Sequence, residues 1–447
     1  MKKFSNIYFI GIGGIGMSSI ARYFLENGKK VAGYDKVASE TTKELVALGA
    51  QIHFEDTIAA IPQDFKKKEN TLVVFTPAVP AGHQELAYYR ANNFSILKRA
   101  QVLGEITKNT FCLAVAGTHG KTTTTAILGH IMKVCNTEAT SFLGGVAENY
   151  KSNLILGKDE VSVVEADEFD RSFLQLAPNV ACVTSMDADH LDIYGEKEFL
   201  EDSFYAFAQK VTNTLIVAKG LPLKGLTYAV NEEADYEIFN VRVENGTYVF
   251  DVKTPKSSCV NISFGLPGKH NLANALAAIA LAEQYGVVLS ESASALQSFR
   301  GVKRRFSYKI KSKDFILIDD YAHHPTEINA VADAILELYP SEKVMAVFQP
   351  HLFSRTRDFI EDFASSLSRF DELVLLDIYP ARELPIEGVD SNWLLEKVIS
   401  KKKQRLLKKE ILPAIQKTEA KVVVMLGAGD IGVLVEEIAE KINQKLG

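Results

Sequence analysis

The sequence is poor in cysteine: four residues in 447, at positions 112, 135, 182 and 259, with no Cys-x-x-Cys pair. That spacing argues against a disulfide framework or a cysteine zinc site and suits buried thiols in a reducing compartment. Basic charge is not in excess either. Fifty Lys and Arg face 56 Asp and Glu, a formal net charge of −6, so the electrostatic footprint of a nucleic-acid binder is missing. No apolar run reaches the ~18 residues that a membrane span needs. The apolar stretch after Met1-Lys2-Lys3 is broken by Gly11, Gly13, Gly14 and Gly16, which fits a βα turn better than a signal peptide. Low-complexity linkers and short-period repeats are also lacking. What is left is the composition of an ordinary globular protein, 47% hydrophobic and 24% charged. The expectation is a cytoplasmic protein with no nucleic-acid partner and no membrane span.

At ~100–200 residues per domain, the length predicts two to four domains, with three the natural choice. Residues 7–10 read as a strand, 11–16 as a glycine turn, 17–27 as a helix ending at Gly28, and 31–34 as a second strand closed by Asp35. Further strands are expected at 71–75 and 94–97. The pattern restarts near residue 105, with a strand at 111–116, another glycine turn and helix, strands at 162–165 and 181–184, hairpin candidates at 241–243 and 248–252, and a helix at 271–284. Residues 300–306 look like a boundary. A third restart places strands at 315–319, 344–348, 373–377 and 422–426 and a helix at 325–339. The charged runs 401–403 and 408–410 read as solvated helix faces. The predicted fold class is α/β: three consecutive α/β domains with mainly parallel sheets. They are an N-terminal Rossmann-like domain (1–106), a central P-loop-type ATPase domain (107–306) and a C-terminal Rossmann-like domain (307–447).

Two glycine turns carry the strongest chemistry. Gly11-x-Gly13-x-x-Gly16 lies between strand and helix, with Asp35 at the end of the next strand. Such glycines let backbone N–H groups approach a diphosphate at a helix N-terminus. The signal is for a diphosphate, which NAD and a UDP-sugar both carry. The second turn is Gly117-Thr118-His119-Gly120-Lys121-Thr122-Thr123. Its Gly-Lys-Thr is the second half of a P-loop: backbone amides cradle phosphates, Lys121 reaches the transferring phosphoryl and Thr122 holds Mg²⁺. Val115 stands where a standard P-loop has its first glycine, so the loop is shortened.

Carboxylates follow where a parallel sheet presents ligand groups, at strand C-terminal ends. They are Glu165-Ala166-Asp167-Glu168 and Asp187-Ala188-Asp189-His190. A carboxylate, the Thr122 hydroxyl and an imidazole can together hold Mg²⁺. Further on, Gly268-Lys269-His270-Asn271 opens a helix that carries Asn274; the two Asn side chains could bracket an adenine edge. Lys303-Arg304-Arg305 supplies cations near the boundary. Asp320-Tyr321-Ala322-His323-His324-Pro325 and Gln349-Pro350-His351, with Ser354-Arg355 beyond, each follow a strand.

Taken together, these segments resemble the Mur ligases of peptidoglycan synthesis, and the Gly13-Gly14-Ile15-Gly16-Met17 form of the first turn favours their alanine-adding branch. The resemblance runs from Gly11 to Gly427-Ala428-Gly429-Asp430. It implies an ATP- and Mg²⁺-dependent ligase that adds L-alanine to the carboxylate of UDP-N-acetylmuramate through an acyl phosphate. The three domains would bind the UDP-sugar, ATP and the amino acid in that order. Gly13, Gly14, Ile15, Gly16, Met17, Ser18, Asp35 and Thr76 would serve the UDP-sugar. Gly117 to Thr123, His270, Asn271, Asn274, Arg305 and Asp320 would serve ATP, with Arg305 on the γ-phosphate. Thr122, Glu165 and His190 would hold the metal, and His324, His351 and Arg355 the amino acid. Lys121, Glu165, His190, Arg305 and His324 would be catalytic.

The chain departs from the family pattern at Leu352-Phe353, where Arg-Tyr is usual, at Tyr34, where Ser is usual, and at Ser185, where Asn is usual. Alternatives are a recycling ligase that attaches a preformed peptide to the same UDP-sugar, an ATP-hydrolysing switch, and, from a different class, an NAD-dependent oxidoreductase. The last leaves Lys121, Glu165 and His190 unexplained.

Overall fold

The computed structural model describes residues 3–80, 82–187, 197–244, 247–381 and 383–446. The architecture is three-domain α/β, with three sheets formed in series along the chain and mainly parallel pairing. By compactness the chain divides into two units, one of residues 1–242, 249–264 and 273–300, the other of residues 243–248, 265–272 and 301–447.

In the first unit, the N-terminal sheet consists of β1 (Asn6–Ile10), β2 (Lys30–Tyr34), β3 (Gln51–His53), β4 (Thr71–Phe75) and β5 (Ser95–Lys98), in the order β3-β2-β1-β4-β5. All of these pairs are parallel. β1 is buried throughout, as befits a central parallel strand covered on both faces. Strand order reverses at β1, so the crevice at its C-terminal end is a topological switch point, and the first glycine turn opens there.

The second sheet has β6 (Phe111–Ala116), β7 (Ala139–Ala147), β8 (Ser152–Ile155), β9 (Lys158–Ala166), β10 (Val180–Val183), β11 (Thr214–Ala218), β12 (Leu226–Val230), β13 (Tyr236–Glu244), β14 (Thr247–Lys253) and β15 (Ser258–Phe264). Its order is β15-β14-β13-β12-β11-β10-β6-β9-β7-β8. β6 therefore lies between β10 and β9. Register aligns Ala116 with Val183 on one side and with Ala166 on the other, which brings the ends of three strands around the second glycine turn. One apolar core joins the two sheets of this unit: Phe9 and Phe24 share it with Phe142, Phe173 and Phe207, and the ring of Tyr23 lies 5.4 Å from that of Phe142.

The second unit holds β16 (Ser307–Lys311), β17 (Ile316–Asp320), β18 (Val344–Phe348), β19 (Glu372–Leu375), β20 (Lys402–Arg405) and β21 (Val422–Leu426), ordered β16-β17-β21-β18-β19-β20. Only β16 pairs antiparallel. Apolar clusters cover both faces of this sheet. One expectation is corrected here. Residues 401–403 do not form a helix face; 402–405 are the edge strand β20, exposed along its whole length. Its lysines solvate an edge that would otherwise invite pairing with another chain. The run 408–410 does open a helix, Lys408–Lys417. Among the described residues, no helix is long and apolar enough to cross a membrane.

Candidate active site

The first turn is built by short backbone bonds. Gly11 and Ile12 donate to Tyr34 O at 2.8 and 3.0 Å, and the Gly13 N–H donates to the Asp35 carboxylate at 2.7 Å. Gly11 has a φ of +87°, and a β-carbon there would meet the Thr76 methyl at 3.0 Å, so Thr76 at the end of β4 does lie against the turn. Gly14 and Ile15 are exposed where the helix Ile15–Glu26 begins, while Met17 and Ser18 are buried. Ser18 is tied to the next sheet, its hydroxyl accepting from Asn153 Nδ2 at 2.8 Å.

The second turn is enclosed by its neighbours. Gly117 and Gly120 adopt φ of +135° and +81°, and a β-carbon on Gly117 would lie 2.1 Å from the Thr184 hydroxyl. From the end of β10, Ser185 accepts from His119 N at 2.8 Å and pairs with the Thr118 hydroxyl at 2.9 Å. A serine in place of the family's usual asparagine thus still braces the loop. His119 Nε2 lies 3.4 Å from Asp187 Oδ2. Asn274, on the helix Lys269–Tyr285, accepts from Thr124 at 3.2 Å.

Two side chains of this turn meet the end of β9. The Thr122 hydroxyl lies 3.0 Å from both oxygens of Glu165. Lys121 Nζ donates to Glu168 at 2.7 and 3.0 Å and to Gly117 O at 2.5 Å. Burial alone would lower the lysine pKa, but the charge of Glu168, helped by Asp167 and Glu165, holds it above its ordinary value. Lys121 is therefore a permanent cation.

The family implies a metal here. Among the described residues, no group of three His, Cys, Asp or Glu could hold one. Mg²⁺ at a nucleotide site is held by one or two protein oxygens together with substrate phosphates, and the adjacent Thr122 hydroxyl and Glu165 carboxylate fit as that partial donor set. His190, with Asp189, lies outside the described residues.

In the second unit, Asp320 ends β17 and accepts from Phe306 N at 2.6 Å and from Ala322 N at 2.7 Å. Burial raises its pKa to about 6, against the opposing effect of Arg305. Arg305 Nη1 lies 3.6 Å from Glu327, and its guanidinium lies over the Tyr321 ring. Its neighbour Arg304 is structural: it bonds Gly427 O and Asp319. Asn271 donates to Pro267 O at 2.6 Å. His270 is pushed down to a pKa of about 4, first by burial and then by Arg305.

His351 and Arg355 come together at 3.4 Å, and the His351 ring stacks on Tyr379. The consecutive histidines part ways. His324 is the buried N-cap of the helix Pro325–Leu338 and packs edge-on against Phe359. His323 has its ring 5.7 Å from that of His351 and its Nδ1 3.2 Å from Glu327. Sequence reasoning chose His324; the structure groups His323, Tyr379 and Glu327 with His351 and Arg355.

Three family models match in succession: the Mur ligase family catalytic domain over residues 6–110, the Mur ligase middle domain over 115–282, and the Mur ligase glutamate ligase domain over 304–435. The UDP-N-acetylmuramate–L-alanine ligase of Flavobacterium psychrophilum is 59% identical over 447 residues, the whole of both chains. The chain belongs to the Mur ligase family. The enzyme of the same description from Cytophaga hutchinsonii is 44% identical, covering 99% of this chain and 98% of its own. Among solved structures, the UDP-N-acetylmuramate-alanine ligase of Thermotoga maritima matches with a TM-score of 0.84 at 28% identity, over 98% of this chain and 99% of that one.

Within this Mur ligase, two residues of the phosphate region had no role assigned from sequence. Glu168 stood in a recognised acidic cluster, but nothing in the pattern said that it would be the buried partner of Lys121. Arg99, which pairs with Asp167 at 3.2 Å, carried no motif signal at all.

Proposed function

We propose that this chain is an ATP-dependent amide ligase that joins L-alanine to the carboxylate of UDP-N-acetylmuramate, supplying a peptidoglycan precursor in the cytoplasm. The observation that carries the reading is the second glycine turn. It sets a permanent lysine cation and a hydroxyl–carboxylate pair at the end of a parallel strand, in a chain 59% identical over its full length to an enzyme of that description. Residues 1–106 take the UDP-sugar, 107–306 ATP and 307–447 the amino acid.

A carboxylate is a poor electrophile toward an amine. Transfer of the ATP γ-phosphoryl to a carboxylate oxygen gives an acyl phosphate and ADP. The neutral amine of alanine then attacks the acyl carbon; the tetrahedral intermediate expels phosphate, and the amine proton passes to a base. Lys121, with Arg305 assigned to the γ-phosphate, offsets charge on the transferring group. Thr122 and Glu165 hold Mg²⁺, which neutralises phosphate charge when bound; His190 is the third ligand of the proposal. The backbone amides of the Gly117–Gly120 turn orient the phosphates. Gly13, Gly14, Gly16 and Asp35 position the UDP-sugar, with Thr76 beside them. Asn271, Asn274 and Asp320 hold the nucleoside. His351 and Arg355 hold the alanine carboxylate, together with His323. His324, buried as a helix cap, is better suited to shaping this site than to taking a proton.

Phosphate release from ATP and Mg²⁺ tests the reading, measured with UDP-N-acetylmuramate in the presence and absence of L-alanine, with mass analysis of the product. Release that needs both substrates, with a product heavier by one alanine residue, is expected. Release that responds to a peptide instead of alanine would move the assignment to the recycling ligase. Release that needs neither would leave an ATPase switch.

A further inference from the structure

Arg99 opens the helix Arg99–Thr107, directly after β5. Its guanidinium lies over the first glycine turn: a β-carbon on Gly16 would come within 2.7 Å of Nη1, so the glycine there makes room for the arginine. The other end of the guanidinium reaches Asp167 Oδ2 at 3.2 Å. Asp167 stands two residues beyond Glu165, which holds the Thr122 hydroxyl. Arg99 thus links the turn suited to a diphosphate with the turn suited to phosphoryl transfer, inside one compact unit. A small cavity at this point is lined by Arg99, Glu165, Asp167 and Ser172.

Only 21% of the Arg99 side chain is exposed. Of its five N–H donors, one makes a hydrogen bond among the described residues. A latch between domains would use the fork more fully, and a partly exposed single pair is worth only about 0–1 kcal/mol. A covered guanidinium with donors to spare, between two anion-binding turns, is instead suited to a planar anion, which it can grip with two parallel bonds.

We propose that Arg99 is a substrate-contacting residue that receives the carboxylate of the nucleotide-sugar and points it toward the phosphoryl-transfer turn. This rests on the reading of the chain as a UDP-N-acetylmuramate ligase. The test is binding to the full chain of two ligands, UDP-N-acetylmuramate and UDP-N-acetylglucosamine, which lacks the lactyl carboxylate. Arg99→Ala weakens the first by about 10–100-fold, the range for a hydrogen bond to a charged group, and leaves the second within about twofold. Arg99→Lys falls between, and melting temperature checks that both variants fold. Asp167→Asn keeps the affinity for UDP-N-acetylmuramate, because the guanidinium remains. Equal losses for both ligands, no loss for either, or an Asp167→Asn variant that copies Arg99→Ala would overturn the assignment. Failure of the wild-type chain to bind or turn over UDP-N-acetylmuramate would sink the ligase reading itself, separately from Arg99.

Discussion

The two glycine turns of the first unit share one local plan, strand, turn and helix, yet they are finished differently. At the first, the neighbouring strand β2 delivers one carboxylate, Asp35, and the turn itself consumes it through the Gly13 N–H. The helix start there is exposed. At the second, β9 delivers Glu165, Asp167 and Glu168, and the turn answers with a hydroxyl and a lysine. On the proposed reading, the first turn binds and the second binds and transfers. What separates them is the set of side chains that adjacent strand ends supply, since the local backbone motif is common to both.

The comparison can be broken most sharply at Lys121. Replacing it with Met should lower kcat by about 10²–10³-fold. It should also destabilise the fold by about 3 kcal/mol, because Glu168, with its side chain fully covered, loses its ion pair with Lys121. Steady-state kinetics and denaturant unfolding check the two effects. Glu165→Gln should lower kcat by about 10²-fold and raise the Mg²⁺ requirement. Its melting temperature should hold, since the amide oxygen still accepts from Thr122. A loss of stability without a shift in Mg²⁺ dependence would mean that Glu165 is structural.

The backbones of the two turns should differ under the same change. Gly120→Ala meets a φ of +81° and an Asn274 oxygen at 2.6 Å, so a loss of about 1–2 kcal/mol is expected. Gly14→Ala meets a φ of −61° and nothing closer than 3.5 Å. It should stay within about 0.5 kcal/mol of wild type, as ordinary surface changes do. Equal losses in urea unfolding would erase the distinction.

A further effect depends on pH and concerns the first sheet alone. Beneath the first sheet, Tyr8 donates to Glu85 at 2.8 Å and His53 lies 3.2 Å from it. Burial, with the charge of Asp56 adding to it, raises the Glu85 pKa from 4.5 to about 7. A carboxyl whose pKa is raised by folding keeps its proton longer in the native state. Its contribution is therefore full below about pH 4.5 and is lost as pH rises toward 7. Burial lowers the pKa of His53 and His83, which act in the opposite sense. The difference in melting temperature between wild type and Glu85→Gln isolates the carboxyl. It should shift in favour of the variant as pH rises across that window, and a flat difference would remove the claim.

Much of the fold was legible. The strands at 111–116, 344–348 and 422–426 form as expected, because central parallel strands are continuous apolar runs bounded by glycine or polar turns. The charged edge strand β20 was not legible, since lysines solvate a strand edge as readily as a helix face. The pair His323-His324 could not be resolved either. Adjacent residues share their chemistry, and only the start of the helix at Pro325 decides which imidazole caps it and which faces His351.

The sequence by itself determined the conformations and donor groups that are local: glycines where φ is positive, a lysine and a threonine at a helix start, carboxylates at a strand end. These depend on residues a few positions apart. Tertiary structure alone decided which of them meet. Glu168 reaches Lys121 across 47 residues, and Asp167 reaches Arg99 across 68. Those pairings follow from β6 lying beside β9 and from the packing of the first sheet on the second. Strand order is a property of the whole core, and no window of sequence contains it.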